Sequence, residues 1–471
     1  RGEHISLNDF SAITTGKIDI LAGQGGASTG EVFSGAAANT SFDLSAATFD
    51  IEAKGAGIGQ SGGNTLEILS SGQVDAEADG AIHITSVAGN ALSVGLIDAA
   101  ANTVTLVGNN GVTDTGTDAA TDVIATTLTI NDGAAGSAGT ITLDTAVTTL
   151  NLNGGAVTIH DGDGIDIASI TATSLDLLTA GGITDSGIVA ITNLAKFNST
   201  GNAIVLGDAT TATFGSLDFA GSTVTITEGN AMVIEASEAT GALTLVAGGS
   251  ITQTGVIDSI STSRFDAGAN VITLTQANDF AGAVSLSNTG TNLVQVTDAN
   301  ALDLGTVNVG GDLLVNTTGT ITDTGNLTVV GLATLVSGGN AITLGDGTTA
   351  NFGSIDFAGS TVAITEASDM SIAESEATEA LSLTASGAIS QTGRIDADNT
   401  SLFDNTGGTD AAITLDNANN DFTGAVSVTA SDTGSDVSLK DVNAIDLGAV
   451  SVGDALTVSS TGAITDSANI T

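Results

Sequence analysis

The stretch GNAIVLGDATTATFGSLDFAGSTVTITE runs from Gly201 to Glu228, and GNAITLGDGTTANFGSIDFAGSTVAITE repeats it from Gly339 to Glu366. The two copies agree at 23 of 28 positions. A catalytic domain rarely needs a second copy of one surface, whereas a chain that extends by stacking copies does. Inside both copies Val, Ile and Leu alternate with Thr, Asp and Ala, and Gly or Asn breaks the alternation every few residues. Period-two alternation places one side of a strand inward and the other outward.

A shorter motif divides the long one. LDLLTAGGITDSG begins at Leu175, LTLVAGGSITQTG at Leu243, LLVNTTGTITDTG at Leu313, LSLTASGAISQTG at Leu381 and LTVSSTGAITDS at Leu456. The starts are nearly evenly spaced, and the last interval is the longest. A fixed period, here of about 69 residues, is the mark of an array of repeated units. The polar residue after the second strand alternates: Asp185, Gln253, Asp323, Gln391, Asp466. The unit therefore comes in two flavours, and two units make the long echo. Residues 161–471 carry these units, with super-repeats at 201–338 and 339–471, while residues 1–160 read as divergent members of the same array.

Composition sets the outer limits. The 471 residues include 53 acidic and 7 basic side chains, a formal charge of −46, and no Pro, Cys, Trp or Tyr. Such a charge can signal disorder. Here 41% of residues are hydrophobic and mean hydropathy is positive, so an ordered chain with an acidic surface is expected. Pro cannot donate to a strand ladder, and its absence suits a chain paired along most of its length. Without Cys there are no disulfides or thiolate metal sites. Nucleic acid and anionic membranes are poor partners for so few Lys and Arg. No apolar run is long enough to span a bilayer as a helix. The start at RGEHISL, without Met or a signal-like segment, reads as a piece of something longer.

Short strands with sharp corners predict an all-β chain, a parallel β-helix (β-solenoid). At about 20 to 23 residues per rung it has about 20 to 24 rungs and is a rod about 100 Å long. Tandem β-sandwich domains are the alternative, but each would need its own aromatic-rich core and a linker. EASEATGA (Glu235–Ala242) and AESEATEALS (Ala373–Ser382) are rich in Ala and Glu, yet lie between strand-like flanks. Phe214, Phe219, Phe352 and Phe357 match across the copies, as do Phe280 and Phe422, and are expected to stack in the core.

The phrases Asn278–Leu286 (NDFAGAVSL), Asp298–Gly305 (DANALDLG), Val309–Val315 (VGGDLLV) and Gly319–Gly325 (GTITDTG) are similar to repeats of filamentous haemagglutinin-like exoproteins of two-partner secretion. They also resemble those of giant autotransporter adhesins. Asn420–Val428 and Asp441–Gly448 are their second copy. The resemblance implies a right-handed β-helix, export to the bacterial cell surface, and a role in adhesion, aggregation or biofilm. The implied partners are a host or neighbouring cell surface, or other copies of the chain in a homopolymer. Complete members carry a secretion-signal domain with Asn-Pro motifs, which a sequence without Pro cannot contain. A self-assembling matrix, sheath or fibre protein is the second expectation.

Catalysis is not expected. Lys17, Lys54, Lys196, Lys440, Arg264 and Arg394 are scattered, and His4, His83 and His160 lack partner motifs and read as surface or turn residues. A polysaccharide-active β-helix enzyme would need a basic residue among clustered acids or a paired-carboxylate cleft. HDGDGID (His160–Asp166) gathers Asp161, Asp163 and Asp166 among Gly, an oxygen-rich loop of the kind calcium uses. It matches no complete calcium motif, so a plain turn is the first reading and the three aspartates are kept as weak calcium candidates. Diffuse binding of divalent cations along the acidic surface could also bridge neighbouring rods.

Overall fold

In the strand Leu243–Ala247 the residues alternate buried and half-buried, so Leu243, Leu245 and Ala247 point inward while Thr244 and Val246 face out. This alternation recurs throughout a computed structural model of the chain. The structure describes residues 4–6, 12–13, 15–23, 30–33, 43–61, 65–87, 89–114, 119–132, 139–208, 212–405 and 410–471. All regular structure among them is β, and the strands pair in parallel, stacked as a β-solenoid of about 20 turns. Tandem sandwiches would require antiparallel pairing, and the ladders exclude them. The chain divides into two compact units, Arg1–Gly229 and Asn230–Thr471.

In the first unit, Ile84, Leu106, Ile130, Leu152, Ile170 and Val189 are successive register partners in neighbouring strands. All six are at most 3% exposed. In the second unit the corresponding column is Met232, Ile251, Ile272, Val294, Leu313, Ala333 and Ile355, one member from each coil. Each inward side chain therefore packs on a like side chain about 4.8 Å above and below. Burial of such a chain is close to a sum over neighbouring coils.

The phenylalanines occupy this interior, as the matched positions predicted: Phe214, Phe219, Phe280, Phe352, Phe357 and Phe422 are at most 6% exposed. Phe265 and Phe280 meet edge to face with centroids 5.7 Å apart, and Phe403 and Phe422 repeat the contact at 5.8 Å. The Ala- and Glu-rich stretches contribute the short strands Ser237–Ala239 and Ser375–Ala377. Outward Glu238 and Glu376 alternate there with inward Ala239 and Ala377, and ladder pairing overrides local helix propensity.

Corners are tied by asparagine. Asn202 donates its side-chain amide to the carbonyl of Ser199 in its own corner (2.8 Å) and of Ala180 in the preceding coil (3.0 Å). Asn340 does the same with Ser337 (3.0 Å) and Thr318 (2.8 Å). The residue two before this asparagine has a left-handed backbone, φ 46° at Thr200 and 59° at Gly338.

Candidate functional site

The residues that the repeats preserve inside the solenoid are polar as well as apolar, and they join one coil to another. In the Asp flavour, Asp185 Oδ1 accepts the backbone N–H of Gly207 at 2.7 Å, and Asp323 Oδ1 accepts that of Gly345 at 2.9 Å. Thr348 also donates its hydroxyl to Asp323. Both glycines sit at left-handed corners, φ 78° and 72°. In the Gln flavour the partner is a buried amide. Gln253 donates to Asn278 Oδ1 (2.8 Å) and accepts from Asn278 Nδ2 (3.0 Å); Gln391 and Asn420 repeat the pair at 2.8 Å in both directions. Asn278 Oδ1 also accepts the Ile257 N–H at 2.9 Å, and its Nδ2 donates to the Thr297 carbonyl at 3.0 Å. The Asp/Gln alternation thus records two ways of satisfying a corner.

A second carboxylate position lies further along each unit. Asp298 accepts N–H groups from Phe280 (2.8 Å) and Asn300 (2.6 Å), and Asp441 accepts from Phe422 (2.8 Å) and Asn443 (2.5 Å). Glu228 and Glu366 occupy this position in the other flavour, accepting from Phe214 (3.0 Å) and Phe352 (2.8 Å).

Asp161 belongs to the same kind of fastening. It is 4% exposed; its Oδ2 accepts from Thr145 Oγ1 (2.7 Å) and the Val147 N–H (3.0 Å), and its Oδ1 from the Asp163 N–H (2.9 Å). Burial pushes its carboxyl above the usual aspartate range, against these three donors. Asp163 is exposed, and Asp166 is half-buried and accepts from Ser186 Oγ at 2.7 Å.

The carboxyl groups that converge within 4.8 Å of one another among the described residues are those of Asp114, Asp122 and Asp144. Asp122 is 4% exposed and accepts the Asp144 N–H at 2.8 Å. Burial, with the like charges of Asp114 and Asp144 and a hydrogen bond to Asp114, pushes its carboxyl up to about 7. Asp144 also pairs with His160 Nδ1 at 3.2 Å. Beside them Asp144, His160, Asp161 and Thr179 line a cleft of about 230 Å³. Three carboxyl oxygens so placed are the donor type that a hard divalent cation takes. Sequence reading missed this trio because Asp144 comes from the coil after the one that holds Asp114 and Asp122. The available signal was the spacing of Asp122 and Asp144, which is one coil period.

Among the described residues the Lys and Arg side chains sit on the outer face. Lys17 pairs with Asp19 (2.9 Å) and Asp50 (2.8 Å), Lys196 with Asp218 (3.7 Å), Arg264 with Asp266 (2.6 Å) and Arg394 with Asp396 (2.9 Å). His160 is exposed and His83 half-buried, both on strands; the side chain of His4 lies outside the described residues. Acids stack in register on this face. Glu238, Asp258 and Asp279 form one column of the second unit, and Glu376, Asp396 and Asp421 another.

These features define a repetitive β-solenoid whose buried polar side chains fasten coil to coil. The chain belongs to the family described as repeats of unknown function (DUF5649), whose model matches residues 154–219, 221–287, 290–355, 359–429 and 434–471, more than half of the sequence. Successive matches follow one another unit by unit, with the period of the two-flavour repeat. No curated protein and no solved structure matches the chain.

Proposed function

We propose that the chain is a non-enzymatic, extracellular repeat shaft of a large bacterial surface protein of the filamentous haemagglutinin-like kind, serving adhesion, aggregation or biofilm. The observation that carries this reading is where the two long copies differ. Val205/Thr343, Thr213/Asn351 and Thr225/Ala363 are half-buried positions on the outward-facing alternation, and Leu217/Ile355 exchanges one core aliphatic for another. Ala209, the partner of Gly347, lies outside the described residues. Every other inward position among the described residues is identical, while the outward face is changed at these three positions and kept at others such as Ser216, Asp218, Ala220 and Thr227, as in a spacer whose repeats must stack but need not present one fixed site. The haemagglutinin-like phrases supply the extracellular and adhesive part of the reading.

A matrix or fibre role is the second reading, favoured by the stacked acids Glu238–Asp258–Asp279 and Glu376–Asp396–Asp421. Like charges stacked one coil apart repel, and weakly held calcium shared between neighbouring molecules would relieve them. Antibody against the chain, applied to intact producing cells before and after protease shaving, tests the location: surface label removed by protease is expected, and label only after lysis contradicts it. Light scattering of the purified chain during calcium addition separates the readings. Unchanged scattering favours the shaft; a rise reversed by chelator favours the fibre.

A further inference from the structure

Two glutamates at equivalent positions of the long copies share an unusual setting. Glu228 ends the strand Val224–Glu228 in the first unit, and Glu366 ends Val362–Glu366 in the second. Their relative exposures are 1% and 0%. Each holds one backbone N–H through Oε1, from Phe214 or Phe352, and Ser368 Oγ adds a bond to Glu366 Oε1 at 3.1 Å. In both, Oε2 is buried without a hydrogen-bond partner. Asp298 and Asp441, at the alternate position, instead use both oxygens on backbone N–H groups. A carboxylate held by two N–H donors can keep its charge in the interior; one with a bare buried oxygen is favoured as the neutral acid.

Among the described residues no cation interacts with either carboxyl. Ala385 is the register partner of Glu366, and Ala350 and Phe352 are inward residues of the strand whose Phe352 N–H it holds. Asp356, the charged residue of those strands, is coupled to Glu374, and Asp369 adds like charge to Glu366 from three residues on. The strand Thr213–Gly221 brings Phe214 to Glu228, and its Asp218 is paired with Lys196.

We propose that Glu228 and Glu366 are acid-dependent clasps, closed when protonated and loosened when ionised, which make the coils they join firmer as the surroundings acidify. Burial pushes both carboxyls up to about 7 from an ordinary 4.5. The folded state then binds more protons than the unfolded chain between those values. The clasps' contribution is complete below about pH 4.5 and is lost as the pH rises through about 7.

The test compares the full chain with an E228Q/E366Q variant in denaturant unfolding between pH 5 and 8. An E238Q/E376Q variant, which removes two exposed acids that also match across the copies, is the control. The parent's folding constant should fall by up to about tenfold per pH unit for each clasp. The clasp variant should lose that part of the slope, and the control should keep it. Equal slopes for the clasp variant and the parent, or a control flattened as much, overturn the proposal. If the clasp variant does not fold, carboxyl ¹³C titration of the parent decides: two glutamates titrating near 7 support it, and all glutamates titrating in the ordinary range overturn it.

Discussion

Asn278 and Gln253 face one another from successive coils as a closed amide pair, with hydrogen bonds of 2.8 and 3.0 Å. Asn278 is fully buried and satisfies Ile257 and Thr297 as well, so a single side chain answers four polar groups in successive coils. Replacing it by Ala removes the side-chain partner of the Ile257 N–H, the Thr297 carbonyl and the Gln253 amide oxygen, while Gln253 Nε2 keeps the Gly255 carbonyl. Asn278→Ala is expected to cost about 3 kcal/mol in denaturant unfolding. Asn420→Ala should cost a similar amount, since Asn420 repeats the pair with Gln391.

The Asp flavour depends on backbone freedom instead. Gly345 has φ 72°, and a Cβ there would meet the Thr365 carbonyl oxygen at 2.0 Å. Gly345→Ala therefore combines a left-handed backbone with a backbone clash, and should cost about 1–3 kcal/mol or more. Gly347, with nothing within 4 Å of an added Cβ, is the control: Gly347→Ala should be near neutral in the same assay.

Both oxygens of Asp161 are engaged by Thr145, Val147 and Asp163. Asp161→Ala is expected to lower stability by about 2 kcal/mol, and by the same amount in calcium and in chelator. A loss that appears only in calcium would assign the side chain to an ion instead.

The stacked acids should work in the opposite direction. Asp258 stands between Glu238 and Asp279 in register, exposed on the outer face. Asp258→Asn is expected to stabilise the chain by about 0.5 kcal/mol at low salt, with the gain fading at high salt. Thermal unfolding at two ionic strengths checks it.

Much of the solenoid was legible because its signals are local. Leu243-Thr-Leu245 announces a strand, Gly248 and Gly249 a corner, and the echo of Gly201–Glu228 in Gly339–Glu366 an array. The alternation of Asp185 and Gln253 was also visible, but its reason was not, because their partners Gly207 and Asn278 lie a full coil downstream. The same distance hid Asp161: its neighbours Gly162 and Gly164 suggest an open oxygen-rich loop, while its carboxylate turns back to Thr145 and Val147 in the preceding coil. Asp114, Asp122 and Asp144 converge only once the coil period is known, and that period is irregular where the sequence diverges.

Repeats held by the same fastenings should be interchangeable as coils. Deleting residues 252–389 removes one whole super-repeat within the second unit and joins Ile251 to Ser390, restoring the run Ile-Ser-Gln-Thr-Gly. Gln391 keeps its Asn420 partner. The measurement is circular dichroism and unfolding of this shortened chain beside the parent. The same β signature and a cooperative transition at a similar midpoint are expected. Loss of β structure, or unfolding as from a broken core, would contradict interchangeability.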